Sequence, residues 1–126
     1  MTSAFIKPVD PPYAERQLQI ACALDEELKH LFFHPLIKLG VDEKGRDKYS
    51  VPDFADMELK VAFFLDGPSH RKAIREIKDD KIDFELDLLG WTPKRCEYDG
   101  RPLSKSKKIA IMRWMKRELA NAKRLG

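Results

Sequence analysis

Two aspartates in the middle of the chain, Asp53 in "YSVPDFA" and Asp66 in "KVAFFLD", each fall toward the end of a short apolar segment. If those segments are neighbouring strands, the two carboxylates can converge at one sheet edge. Close carboxylates repel unless a cation sits between them. Two hard oxygens, helped by a backbone carbonyl such as that of Leu65, suit Mg²⁺, which keeps its other positions for water and a phosphate oxygen. Gly67 and His70 follow at once in "DGPSH", so the stretch also reads as a strand running into an Asp-Gly turn. Which reading holds depends on the other polar residues that fold back to this strand end.

The elements around these residues follow from pattern. "KPVDPPY" reads as an extended N-terminal arm over residues 1–12, with Pro11 and Pro12 just ahead of a helix start. Helical spacing of Leu18, Cys22 and Leu24 predicts a helix from Ala14 to about Leu31. "HPLIKLG" predicts a short strand, "VDEKGRDK" a polar turn about Gly45, and "YSVPDFA" and "KVAFFLD" two strands joined through "DMEL" as a hairpin. Pro52 fits an edge or a ladder end better than a central strand. A second helix runs from His70 to Leu89, with Ile74, Ile77, Ile82, Leu86 and Leu89 as its apolar stripe and Gly90 as its stop. "WTPKRCEY" is a last strand, "DGRP" a turn, and a last helix covers about 104–124 with Ile109, Met112, Met115, Leu119 and Ala122 inward. The order α-β-β-β-α-β-α predicts one α/β domain over residues 1–126, a mixed central sheet of about four strands flanked by helices.

Composition narrows the class. No apolar run is long enough to span a bilayer and the N-terminus lacks a secretory hydrophobic region, which points to a cytoplasmic, intracellular protein. Cys22 and Cys96 form no CxxC or Cys/His cluster and read as reduced structural thiols without zinc. His30 and His34 in "HLFFH" have the i, i+4 spacing of a helical metal pair. With no glutamate between them and Pro35 next, a helix end packing its aromatics is the simpler reading.

The net charge of +3 hides an asymmetry, since from Arg101 onward nine Lys and Arg residues face a single acid, Glu118. A basic tail on an acidic body suggests a polyanion partner combined with a carboxylate-rich site, although a charge run is also the ordinary solvated face of a helix. Lys105, Lys107, Lys108, Lys116 and Arg117 are the candidate phosphate contacts.

Several blocks in order, "AERQL", "VPDF", "AFFLDGPSH", "IKDDK" and "LDLLGW", resemble the signature blocks of the very-short-patch-repair endonucleases and the related EDxHD homing endonucleases of the PD-(D/E)XK nuclease superfamily. The resemblance runs from about Pro12 to Tyr98. It implies a restriction-endonuclease-like fold and a Mg²⁺-dependent (or Mn²⁺-dependent) DNA endonuclease that nicks or cuts both strands. It also implies Glu15 as the helix glutamate binding a metal-bound water, Asp53 as the main metal ligand, and Leu65 as the residue offering its backbone carbonyl. His70 would be the general acid/base, Asp79 (with Asp80 as the next choice) the acid that orients it, and Asp66, before the loop glycine, a further site residue. Without the resemblance, Glu15 reads as a first-turn charge on the helix dipole and Asp79 as one acid on a solvated face. Two departures stand out: Phe64 occupies the position where many relatives carry a glutamate, and the superfamily's lysine is absent. These leave open a catalytically inactive nucleic-acid-binding module, or an accessory protein of a mobile element whose tail meets an acidic partner. Target sequence, DNA against RNA, and monomer against homodimer are not encoded in any recognisable pattern.

Overall fold

Ala14, Leu18 and Cys22 recur every fourth residue and give helix α1 (Tyr13–Ala23) a buried stripe. The computed structural model describes residues 13–68 and 72–125. After α1 come β1 (Phe32–Phe33), β2 (Ile37–Val41), β3 (Asp47–Ser50), β4 (Phe54–Asp56), β5 (Val61–Asp66), α2 (Lys72–Leu88), β6 (Thr92–Glu97) and α3 (Lys105–Leu125). A mixed four-stranded sheet has the order β1-β4-β5-β6, antiparallel except for the parallel β5–β6 pair, and β2 and β3 form a separate hairpin. The α/β class and a four-stranded mixed sheet agree with the sequence pattern, but the element order is α-β-β-β-β-β-α-β-α: the expected strand "HPLIKLG" is β2 of the separate hairpin, and the two-residue β1 takes the sheet edge instead.

Layering follows from the two-residue period of β5. Phe63 and Leu65 pack toward α1 and α3 with Leu18, Cys22, Met115 and Leu119. Ala62 and Phe64 face the other way, toward Leu86 and Ile82 of α2, Trp91, and Ile37 and Leu39 of the hairpin. A bond of 2.6 Å from Lys48 to Glu85 ties that hairpin to α2.

The differences from the expected elements have local causes. α1 stops at Ala23, not near Leu31, because Asp25 starts a new turn: its side chain accepts the Glu27 amide and its carbonyl the Leu28 and Lys29 amides. Leu28 and Leu31 still reach the core, so the apolar rhythm outlasts the helix. The expected strand "YSVPDFA" is two strands, β3 and β4, interrupted at Pro52, which has no N–H for a ladder. "DMEL" is the β4–β5 hairpin turn, organised by the Asp56 carboxylate accepting the Glu58 and Leu59 amides.

α2 ends as expected in a Schellman motif. Gly90 sits at φ 85, the Trp91 amide reaches the Leu86 carbonyl at 3.0 Å and the Gly90 amide the Asp87 carbonyl at 3.0 Å. Its stripe differs from expectation: Ile82 and Leu86 pack inward, whereas Ile77 and Leu89 are exposed, together with Phe84 and Leu88; the Ile74 side chain lies outside those described. In α3, capped by the Ser104 hydroxyl on the Lys107 amide, Ile111 joins Met115 and Leu119 in the core and Ile109 is exposed. No helix among the described residues is long and apolar enough to cross a membrane.

Candidate metal centre

Antiparallel pairing puts the start of β4 beside the end of β5, and this places Asp53. Its amide donates to the Phe63 carbonyl at 2.9 Å and its Oδ2 accepts the Leu65 amide at 2.6 Å, so one carboxylate oxygen is fixed and Oδ1 is left to face other groups. The register of β1 on β4, Phe32 opposite Ala55 and Phe33 opposite Phe54, continues into a bond from the His34 amide to the Asp53 carbonyl. Phe33 meets Phe54 edge to face at 5.3 Å, which anchors this short strand. His34 then turns at φ 50, and its Nε2 lies 3.7 Å from Asp53 Oδ1.

Glu15 arrives from the third direction. It follows Ala14 in the first turn of α1, the stripe that the core holds down, and it is itself only 4 % exposed. Its Oε1 lies 3.1 Å from His34 Nε2. One ligand atom each from Glu15, His34 and Asp53 therefore falls within 4.8 Å of the other two. Burial, then the Glu15 carboxylate, pushes the Asp53 carboxyl up to about 8. The Tyr98 hydroxyl is also raised, by burial and then by the charges of Glu15 and Asp53, and its ring lies over Gly67. Two carboxylates and an imidazole with ligand atoms this close together are a donor set for a divalent cation.

The remaining candidates are distributed differently. Leu65 meets Asp53 through its amide; a strand residue turns its amide and carbonyl to the same edge, so the Leu65 carbonyl faces the Asp53 side as well. Asp66, one residue on, turns to the opposite sheet face. There its Oδ1 takes Arg95 Nη1 at 3.2 Å, and it is not a member of the cluster. Asp79 is 3.5 Å from the same Arg95 and 4.0 Å from Arg75 Nε. Asp83 binds Arg95 through both oxygens at 2.7 and 2.9 Å, and the guanidinium stacks on Phe64 at 4.2 Å. Asp66 and Asp79 are thus engaged in a carboxylate–guanidinium strut between α2 and the sheet. Burial, partly offset by Arg95, raises the Asp66 carboxyl. His70 lies outside the described residues.

On the basic tail, Lys116 is bonded to Asp25 at 2.8 Å and Lys107 to Asp99 at 3.1 Å. Lys105, Lys108 and Arg117 have no ion pair among the described residues; Lys105 and Arg117 are exposed and Lys108 partly so. The first turns of α3 lie at the site end of the molecule, since Asp99 adjoins Tyr98 and the Leu103 amide bonds Gln17 of α1. Burial and the nearby Asp25 push the Cys22 thiol up to about 12, and burial raises Cys96, so neither is a reactive thiolate.

His34 is the cluster member that sequence pattern assigned to aromatic packing. The i, i+4 relation with His30 was a misleading signal because "HLFFH" is no helix. His30 instead pairs with Asp56 at 2.8 Å, a carboxylate whose other oxygen already holds the β4–β5 turn. Compared with protein-family models, curated proteins and solved structures, the chain finds no match in any of the three.

Proposed function

We propose that this protein is a divalent-metal-dependent DNA endonuclease with a restriction-endonuclease-like fold, of the very-short-patch-repair kind that its sequence blocks resemble. The observation that carries the reading is the convergence of Glu15, His34 and Asp53 at the end of β5, beside the cation-rich first turns of α3. A bound cation would polarise the scissile phosphate and lower the pKa of a water. Asp53 is its principal ligand, fixed by the Leu65 amide, with the Leu65 carbonyl on the same edge. Glu15 holds a water or the cation from the helix side, and His70 moves the proton. Asp79 and Asp66, engaged by Arg95, brace α2 against the sheet and are not ligands. Lys105, Lys108 and Arg117 hold phosphates, an interaction that positions nucleic acid without reading its sequence.

The test is nicking of supercoiled plasmid by the purified protein with Mg²⁺ or Mn²⁺, and its loss with chelator and with Asp53→Ala. Folded wild-type protein that leaves the plasmid intact with either ion overturns the reading. A second reading, a nucleic-acid-binding module without cleavage, has one observation in its favour: Phe64, where many members of the wider nuclease group it resembles carry a glutamate, is committed to stacking under Arg95. Salt-dependent binding of DNA without cleavage is its signature.

A further inference from the structure

We propose that His34 makes this centre selective for a divalent first-row transition ion over Mg²⁺. The inference rests on the metal-centre part of the proposed function and is independent of the substrate. Mg²⁺ takes hard oxygen donors and gives up its waters reluctantly. Imidazole favours the transition ions, whose affinities rise from Mn²⁺ through Fe²⁺ and Co²⁺. A site meant for Mg²⁺ gains nothing from a nitrogen where a third oxygen or a water would serve.

Geometry puts the imidazole in the coordination sphere and not behind it. Metal–ligand bonds of about 2.1 Å place neighbouring donors about 3.0 Å apart in an octahedron and about 3.4 Å apart in a tetrahedron. His34 Nε2 is 3.1 Å from Glu15 Oε1 and 3.7 Å from Asp53 Oδ1, close to both spacings. The ring is held there by the backbone: the His34 amide is bonded to the Asp53 carbonyl, and the residue takes a positive φ that few side chains adopt. Two carboxylates and a neutral imidazole carry two negative charges, matching a dication. No thiol belongs to the cluster, which disfavours soft ions such as Cu⁺. His30 shows what a structural histidine of this fold looks like: one carboxylate partner, already occupied on its other oxygen.

The rival account is that His34 is itself the cation, an imidazolium set between Glu15 and Asp53 with no metal involved. Calorimetric titration of the intact protein with MnCl₂ and with MgCl₂, in the absence of nucleic acid, separates the two. Electron-spin-echo spectroscopy of the Mn²⁺ sample supplies the direct readout. Expected are Mn²⁺ binding at least about tenfold tighter than Mg²⁺ and a ¹⁴N coupling from a bound imidazole. His34→Ala should lose about tenfold or more in Mn²⁺ affinity with a much smaller change for Mg²⁺. His34→Asp, which restores an all-oxygen set, should narrow or invert the preference. Equal affinities for the two ions, no metal binding, or Mn²⁺ bound without nitrogen coupling would each overturn the proposal; the coupling is read on wild-type protein, so a variant that fails to fold leaves the decision intact. Mn²⁺ binding with nitrogen coupling in a protein that cuts no DNA supports this inference while the nuclease reading falls. Equal affinities for the two ions in a protein that cleaves DNA do the reverse.

Discussion

Two groups of acids flank the end of β5, and they are built on opposite principles. On the α2 face, Asp66, Asp79 and Asp83 gather around the guanidinium of Arg95, with Arg75 beside them and bonded to the Gly67 carbonyl. On the α1 face, Glu15 and Asp53 meet the imidazole of His34. A guanidinium is charged at every accessible pH and presents forked donors, so the first group carries its own fixed counter-charge. An imidazole carries no fixed charge, so the second group reaches electrical balance by taking up protons or a dication. Acids of the same type, brought to one strand end, thus serve a strut in one case and a candidate site in the other.

The largest expected effect separates the two groups by activity. Asp53→Ala should reduce plasmid cleavage to the level of the metal-free protein and abolish calorimetric Mn²⁺ binding. Arg95→Met should leave the Mn²⁺ affinity within a few-fold. If Asp53→Ala folds and cuts at the wild-type rate, the contrast between the groups is lost.

Stability should separate them in the other direction. Arg95→Met strands Asp66 and Asp83, which are 16 % and 28 % exposed, and leaves Asp79 only its longer contact with Arg75. Removing one partner of a buried ion pair costs about 3–5 kcal/mol and of an exposed pair about 0–1, so about 2–4 kcal/mol is expected here. For a chain of this size that lowers the melting temperature by roughly 10 °C. A variant that melts within a degree or two of wild type would show that the strut is a solvated surface pair.

How much of this was readable in the sequence depends on the range of the interaction. β5, α3 and the Gly90 stop were legible because a strand's alternation and a helix's period are local signals. The split of "YSVPDFA" was foreshadowed by Pro52, yet its consequence, Asp53 lying just before β4, required the antiparallel partner. Asp66 pairs with Asp53 in the sequence pattern because each ends a strand, but the strand's two-residue period turns it away: the Leu65 amide meets Asp53 and the next residue faces Arg95. His34 was illegible for a different reason. β1 has two residues, both exposed, so it carries no alternation, and the bond that delivers His34 joins it to Asp53, far along the chain.

The pH dependence of stability gives a smaller and more specific contrast. Folded Asp53 keeps its proton up to about pH 8, whereas an ordinary aspartate releases it near 3.8. The folded chain therefore binds the extra proton across that window, and the associated stability is complete below the ordinary value and is lost as the pH rises through 8. Metal-free protein should melt at progressively lower temperature from about pH 4 to about 8. Added Mn²⁺ should restore stability increasingly over the same range, since it replaces the proton. Asp66 is raised as well, so the comparison is wild type against Asp53→Asn, which should lack most of this slope. Parallel melting curves for the two proteins across the window would mean that Asp53 ionises freely and that its neighbours impose no constraint.

The smallest expected effect concerns α3 and carries the contrast between engaged and available charge to the surface. Lys116 has Asp25 and Lys107 has Asp99, while Lys105, Lys108 and Arg117 have no ion pair among the described residues. A cation already neutralised must break its pair before it can serve a phosphate, so the two sets should differ although their sequence context is the same. Lys108 and Arg117 are nine positions apart, about 14 Å along the helix and about half a turn around it, so they would meet separate phosphates. Replacing Lys105, Lys108 and Arg117 by glutamine should weaken binding to all DNA sequences about equally. For every phosphate left without its cation, the plot of log K against log salt should become shallower by about 0.9. Lys116→Gln should leave that slope nearly unchanged and cost at most about 1 kcal/mol of stability through the missing Asp25 pair. Filter binding at four salt concentrations, with a thermal melt of each variant, measures both. An unchanged slope in the triple variant would place the nucleic-acid surface elsewhere, and an equal loss in Lys116→Gln would show that the ion pairs of this helix give way on binding.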